Sequence, residues 1–313
     1  MTGGRAFGRL ALGIALACAV AACGGGGGGD KPNDFNALPD PAPPAGVELG
    51  GLIGPEGLTF DSAGNLYAGS TTGRITRISP SGVVSVFAET GRSLAGLATG
   101  PQDEIFAAAF NTGEVVAVGQ DSVMRVATSG LDGPNAMVFD PQQRLLVTAL
   151  GIGGFPQVAT VQPDTTYLTI TEEIPSPNGI AFGPDGFLYI ADTFMNRIVR
   201  MTYNDRGEVG APETYATGIG FPDGIAFDKA GHLFVAASGQ IWVVLPDGTS
   251  NRRSQPFVVS GALDGPASLA FGFGPGRDTG RLYFTNYGFP SLGSGTTVAS
   301  VLVGIPGEPL FAP

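Results

Sequence analysis

Histidine, tryptophan and cysteine are nearly missing from these 313 residues, which hold one His, one Trp and two Cys. A single His cannot furnish a Ser-His-Asp triad, and no Cys/His cluster has the spacing of a zinc site. Nor is there a Walker loop to cradle phosphates. Charge is sparse as well: 14% of residues are charged, acids outnumber bases 27 to 16, and the net charge is −11. Phosphates repel such a chain, so its charge disfavours nucleic acid and anionic lipid as partners, and no nucleic acid is expected. The apolar stretch Leu10 to Ala22 has 13 residues, short of the roughly 17–25 that a membrane-spanning helix needs. What is plentiful is apolar residues, at 43%, together with 51 Gly and 25 Pro. That composition can bury a large core, and the Gly and Pro fall largely at recurring turns.

Arg5 and Arg9 precede the apolar stretch, and Val20-Ala21-Ala22-Cys23 ends it. Basic residues, a short apolar run and small residues before a cleavage point make a secretory signal over residues 1–22. The small residues before Cys23 resemble the lipobox of bacterial lipoprotein signals, in which that cysteine is acylated and becomes the new N-terminus. On this reading Cys18 leaves with the signal, Cys23 carries lipid, and no cysteine remains for a disulfide. An ordinary cleaved signal is the alternative. Residues 23–46, rich in Gly and then Pro, read as a flexible tether. The expected location is the bacterial cell envelope, with membrane contact through the N-terminal lipid only.

Downstream, one short grammar returns six times: PEGLTFDSAGNLY (55–67), SLAGLATGPQDEIF (93–106), PNAMVFDPQQRLL (134–146), PNGIAFGPDGFLY (177–189), PDGIAFDKAGHLF (222–234) and PASLAFGFGPGRDTGRLY (266–283). Each is a turn, an apolar strand, a second turn and a second apolar strand. Second strands begin at Leu66, Ile105, Leu145, Leu188, Leu233 and Leu282, in steps of 39 to 49 residues. Such a period predicts an all-β, six-bladed propeller over residues 47–313, with four antiparallel strands per blade. After Val303 the chain is short and rich in breakers, so the sixth blade lacks an outer strand of its own. The segment Val47–Ile53 is expected to supply it and close the ring, covering exposed strand edges.

In register, the repeats place Glu56, Ala95, Asn135, Asn178, Asp223 and Ala267 in one slot at the start of each inner strand. Two carboxylates and two amides converging on one end of the axis form a hard-oxygen set suited to Ca²⁺. Oxygen ligation favours calcium over zinc, with another divalent cation left open. The competing explanation is turn chemistry, since Pro-Asn-Gly and Pro-Asp-Gly are common turn sequences. Ala95 and Ala267 in the same slot show that the turn does not demand a polar residue.

The motifs Pro55-Glu56-Gly57, Ser176-Pro177-Asn178-Gly179 and Phe221-Pro222-Asp223-Gly224 resemble those of the SMP-30/gluconolactonase/LRE-like propellers, over roughly residues 47–304. The resemblance implies that Glu56, Asn178 and Asp223 bind a divalent cation and that Asp223 serves as general base. Asn135 would lie near the substrate, and in the similar phosphotriesterase-like propellers the matching Asn is a metal ligand. Two positions depart from these patterns: Gly133 stands where sugar lactonases carry Arg, and Ala267 where phosphotriesterase-like propellers keep His. The implied activity is metal-dependent hydrolysis of a lactone or ester, a less polar one fitting better without the Arg. Phe155, Phe221 and Phe289 are candidates to line the mouth. Asp192 to Ile198 also resembles an NHL repeat, so a monomeric, membrane-tethered binding module is the competing function. His232 follows the inner strand of blade five, at the end opposite Asp223, and reads as a surface turn residue.

Overall fold

The computed structural model describes residues 38–39, 42–246, 254–257, 259, 261–288 and 293–309. Residues 1–22, Cys23 and Phe289 lie outside the described residues. Six antiparallel sheets of four strands form the six blades. Each inner strand packs against the next, and the last against the first, so the blades close into a ring. The inner strands are Pro55–Phe60, Leu94–Thr99, Pro134–Phe139, Pro177–Phe182, Pro222–Phe227 and Pro266–Phe271. Second strands begin at Leu66, Ile105, Leu145, Leu188 and Leu233 as expected; the sixth begins one residue early, at Arg281.

The ring closes through the N-terminal segment. Gly46–Leu49 pairs antiparallel with Thr297–Leu302 of blade six, Val47 opposite Ala299, and becomes that blade's outer strand. It stops before the expected Ile53 because Gly50 and Gly51 follow, the latter at φ 77°. Upstream, within the segment read as tether, Leu38, Ala42 and Ala45 are buried against blades five and six.

Packing explains why the second strands read as unbroken apolar runs. Blades cover both of their faces, so every residue of Leu66–Ser70, Ile105–Ala109, Leu145–Ala149, Leu188–Asp192 and Leu233–Ala237 is buried. A strand covered on both faces loses the alternation of a half-exposed one. The core divides into six clusters, one between each pair of neighbouring blades. Blades therefore hold one another in place, and the axis is left to the inner strands.

His232 departs from its reading as a surface residue: it is 0% exposed. Asp228, at the end of the inner strand, accepts the backbone N–H of Ala230 and of His232, and its Oδ2 lies 2.7 Å from His232 Nδ1. The same device recurs at Asp61 with Asn65 and at Asp140 with Arg144. Burial comes from the C-terminal segment, whose Pro306 carbonyl accepts Lys229 N–H and whose Glu308 N–H donates to the Phe227 carbonyl. The breaker-rich end of the chain thus lies across the blade-five turn, and His232 is a structural residue.

Candidate metal centre and channel mouth

The slot residue is the second residue of every inner strand. In all six blades the pairing between inner and second strand slips between the first and fourth residues of the inner strand. Such irregularities re-aim side chains and interrupt pairing, and here they release the slot residue from its own blade.

The neighbouring blade takes over. After the slot stand Gly57, Gly96, Gly179 and Gly224, none at positive φ. A Cβ on any of them would collide with the slot carbonyl of the next blade, on Ala95, Asn135, Asp223 and Ala267 respectively. These glycines serve close approach of strands, not a turn, which answers the turn reading of Pro-Asn-Gly and Pro-Asp-Gly. In the remaining two blades the residue is Ala136 or Ser268, and a threonine on the second strand intervenes. Thr148 Oγ1 donates to the Asn178 carbonyl at 2.7 Å and Thr285 Oγ1 to the Glu56 carbonyl at 2.5 Å. All six slot carbonyls thus lie against the preceding blade, two of them hydrogen-bonded to it.

Three slot side chains share one electrostatic environment. The Asn178 side chain lies near enough to the Asp223 carboxyl to lower its proton affinity, and Glu56 feels the Asp223 charge. Asn135 sits in the same register on the blade-three strand, 7% exposed. Burial pushes the Asp223 carboxyl up to about 7, partly offset by the nearby Asn178 amide. Burial and then the Asp223 charge push Glu56 up to about 8. Both residues are only partly buried, but protein crowds out bulk water around them. Beyond the slot the channel continues as a cavity of about 390 Å³ walled by Leu58, Leu97, Met137, Ile180 and their counterparts. Thr59, Thr99, Ser268 and Glu308 also line this cavity.

Asn178 is 7% exposed and its Oδ1 is buried without a hydrogen-bond partner. An orphaned acceptor of that kind calls for an explanation. Beside two carboxylates of raised proton affinity, a hard cation supplies one: it would take Asn178 Oδ1 and the Glu56 and Asp223 oxygens, with Asn135 in register to join them. Among the described residues no group of three or more His, Cys, Asp or Glu side chains gathers, so the donors that fit are two carboxylates and two amides.

Tyr287, outside the repeat register, lies close enough to feel the charges of the site. It follows the second strand of blade six, and burial together with the charges of Glu56 and Asp223 pushes its phenol up to about 12. Its proton therefore stays on. Blade six contributes only Ala267 to the slot, and nothing in the repeat pattern marks a tyrosine in a loop as its polar delegate. Phe155 and Phe221, expected at the mouth, are 73% and 45% exposed, and Ile152, Phe194 and Met195 join them on the loops of the same end. At Gly133 (φ 67°), where sugar lactonases carry Arg, an added Cβ would meet Ile152 Cγ1 at 2.8 Å and Phe110 Cε2 at 3.3 Å.

Solved structures share this architecture. Gluconolactonase from Xanthomonas campestris superposes with a TM-score of 0.68 at 18% identity, covering 84% of this chain and 89% of its own. Regucalcin from Agrobacterium tumefaciens, a calcium-binding protein, gives 0.69 at 21%, covering 86% and 96%. Luciferin-regenerating enzyme gives 0.69 at 19%, covering 84% and 97%. No curated protein matches the chain in sequence. Residues 46–78 match the N-terminal region of strictosidine synthase-like proteins. Residues 86–288 match the SMP-30/Gluconolactonase/LRE-like region, from the outer strand of blade one to the loop that bears Tyr287. With six four-stranded blades around that span, the chain belongs to the SMP-30/gluconolactonase/LRE-like family.

Proposed function

We propose that this propeller is a metal-dependent hydrolase that opens a lactone or ester at the slot end of its channel. The observation that carries the reading is Asn178, whose Oδ1 is buried with no partner in the neighbourhood of the Asp223 and Glu56 carboxyls. Glu56, Asn178, Asp223 and Asn135 are the residues that would hold a divalent cation, calcium being the natural choice for oxygen donors. When bound, the cation supplies Lewis acidity to the substrate carbonyl and stabilises the negative charge that develops there.

The chain's own groups do the rest. Asp223 takes a proton from water as the water oxygen attacks the carbonyl carbon. The carbonyl–alkoxy C–O bond then breaks, and the departing alkoxide regains a proton from the Asp223 carboxyl. Asn178 keeps Asp223 oriented, and Glu56 is the second acid that could fill the base role. Tyr287, protonated at working pH, donates a hydrogen bond to substrate oxygen. The lipobox-like run ending at Cys23 supports placing this activity on the cell envelope; intact mass of the envelope-extracted protein tests it.

The functional test is turnover of simple lactones and aryl esters with calcium, and after chelation. Asp223→Asn should abolish turnover and leave the fold intact. If there is no turnover and Asp223→Asn alters only thermal stability, the propeller is a binding module.

A further inference from the structure

We infer that the channel mouth carries an apolar recognition wall, Phe221, Phe194 and Met195 on one side and Ile152 and Phe155 on the other, that binds an alkyl or aryl substituent of the substrate. The inference deepens the hydrolase reading and rests on it for the lactone or ester group alone.

Phe221 is the first support. Two residues before the slot, blades one, three and six carry Gly54, Gly133 and Gly265 at φ 54°, 67° and 60°. Blade five places Phe221 there, at φ 48°. Left-handed backbone suits glycine and disfavours a bulky side chain. An aromatic residue at a glycine position, two residues from Asp223 and 45% exposed, is strain kept at a site for the sake of its side chain. The Phe221 N–H donates to Asn196 Oδ1 at 2.9 Å, which holds the strained conformation.

That hydrogen bond also ties Phe221 to the adjoining turn. Thr193 Oγ1 donates to the Pro222 carbonyl at 2.7 Å, and Phe194 N–H to Ser176 Oγ at 2.8 Å. Ser176 Oγ donates in turn to buried Asp192. Phe194 and Met195, 63% and 53% exposed, are therefore displayed from a braced turn beside the strands that carry Asn178 and Asp223.

The blade-three side is built the same way. Asp132 Oδ2 accepts Gly153 N–H at 2.7 Å and Phe155 N–H at 3.3 Å, and the Asp132 carbonyl accepts Gly151 N–H. This fixes a loop whose Ile152 and Phe155 are 63% and 73% exposed. Ile152 occupies the space over Gly133, two residues before Asn135. Partly exposed apolar side chains displayed from braced backbone at the mouth of a polar pocket mark a binding surface. Their chemistry selects an alkyl or aryl group over a ring bearing several hydroxyls.

Titration calorimetry of the calcium-loaded full chain with two non-hydrolysable lactams tests this: aryl-fused 3,4-dihydroquinolin-2-one and polyhydroxylated gluconolactam. The aryl lactam should bind at least about tenfold more tightly, and the double variant F194S/M195S should lose about tenfold for it alone. Phe221→Gly should weaken it similarly while keeping or raising the melting temperature, because glycine relaxes that backbone. Equal or tighter binding of gluconolactam, failure of the aryl lactam to bind, or aryl-lactam binding unchanged in the variants overturns the inference. A marked fall in melting temperature for Phe221→Gly does so too, by making Phe221 a packing residue. Aryl-ester turnover is measured in parallel: wall-dependent lactam binding without turnover removes the hydrolase reading and keeps the wall, and turnover without lactam preference does the reverse.

Discussion

Thr285, on the second strand of blade six, donates its hydroxyl to the carbonyl of Glu56, on the inner strand of blade one, at 2.5 Å. The seam between last and first blades is thus stitched at a residue of the candidate metal centre. The bond is part-buried, and Thr285 itself is fully buried. Thr285→Val keeps the shape and leaves the carbonyl unpaired, which should cost about 1–2 kcal/mol. The loss should also displace Glu56, so calcium should raise the melting temperature of Thr285→Val less than that of the parent. Thr148→Val, its counterpart on blade three, should cost a similar amount and act on Asn178 instead.

Gly179 faces the backbone carbonyl of Asp223 across the blade-four and blade-five boundary. The obstruction is backbone, so a side chain cannot swing aside to make room. Gly179→Ala should lower folding stability by about 3 kcal/mol, at the upper end of overpacking costs. Gly82→Ala is an instructive contrast: nothing lies within 4 Å of its added Cβ, but its φ of 81° strains any side chain. Denaturant melts of both variants separate collision from backbone strain, and a Gly179→Ala loss no larger than that of Gly82→Ala would refute the close-approach role.

The repeat register carried the blade number, the strand starts and the slot, because strand period and turn spacing are local properties of the chain. Glu56, Asn178 and Asp223 were found through that register, and their shared environment follows from the ring. Other features depend on contacts that no repeat encodes. The glycines after the slot looked like turn residues, since a next-blade carbonyl is invisible to local sequence. Tyr287 enters from a loop outside the register. Phe221 is an ordinary aromatic until its left-handed φ is seen beside three glycines at equivalent positions. His232 was placed at the correct end but assigned to the surface, because the segment that buries it arrives from more than 70 residues downstream.

His232 should matter to stability and not to turnover. Its ring lies 2.7 Å from Asp228 Oδ2, and both side chains are fully buried. His232→Ala removes that partner and opens a cavity, at a cost of about 2–4 kcal/mol. His232→Asn copies blade one, where Asn65 Nδ2 donates to Asp61 Oδ2 at 2.7 Å, and should recover part of the loss. Turnover per folded molecule should match the parent in both variants. A drop in kcat with unchanged stability would give His232 a functional part.

Calcium and pH should act on the same two carboxyl groups. Burial holds Asp223 up to about 7, and burial with the Asp223 charge holds Glu56 up to about 8. In the unfolded chain both return to about 4. Between these limits the unfolded chain releases protons that the metal-free folded protein keeps. The stability these groups contribute is therefore complete below about pH 4 and is lost as pH rises through about 7–8. A cation reverses the trend, because binding displaces those protons and its affinity climbs across the same window. Melts with chelator from about pH 5 to about pH 9 should show a falling midpoint, and added calcium should open a gap that widens with pH. Asp223→Asn should reduce the slope of the chelated series to the part that burial of Glu56 sets, and should narrow the gap. A gap independent of pH, or one surviving Asp223→Asn in full, would place the cation on other groups.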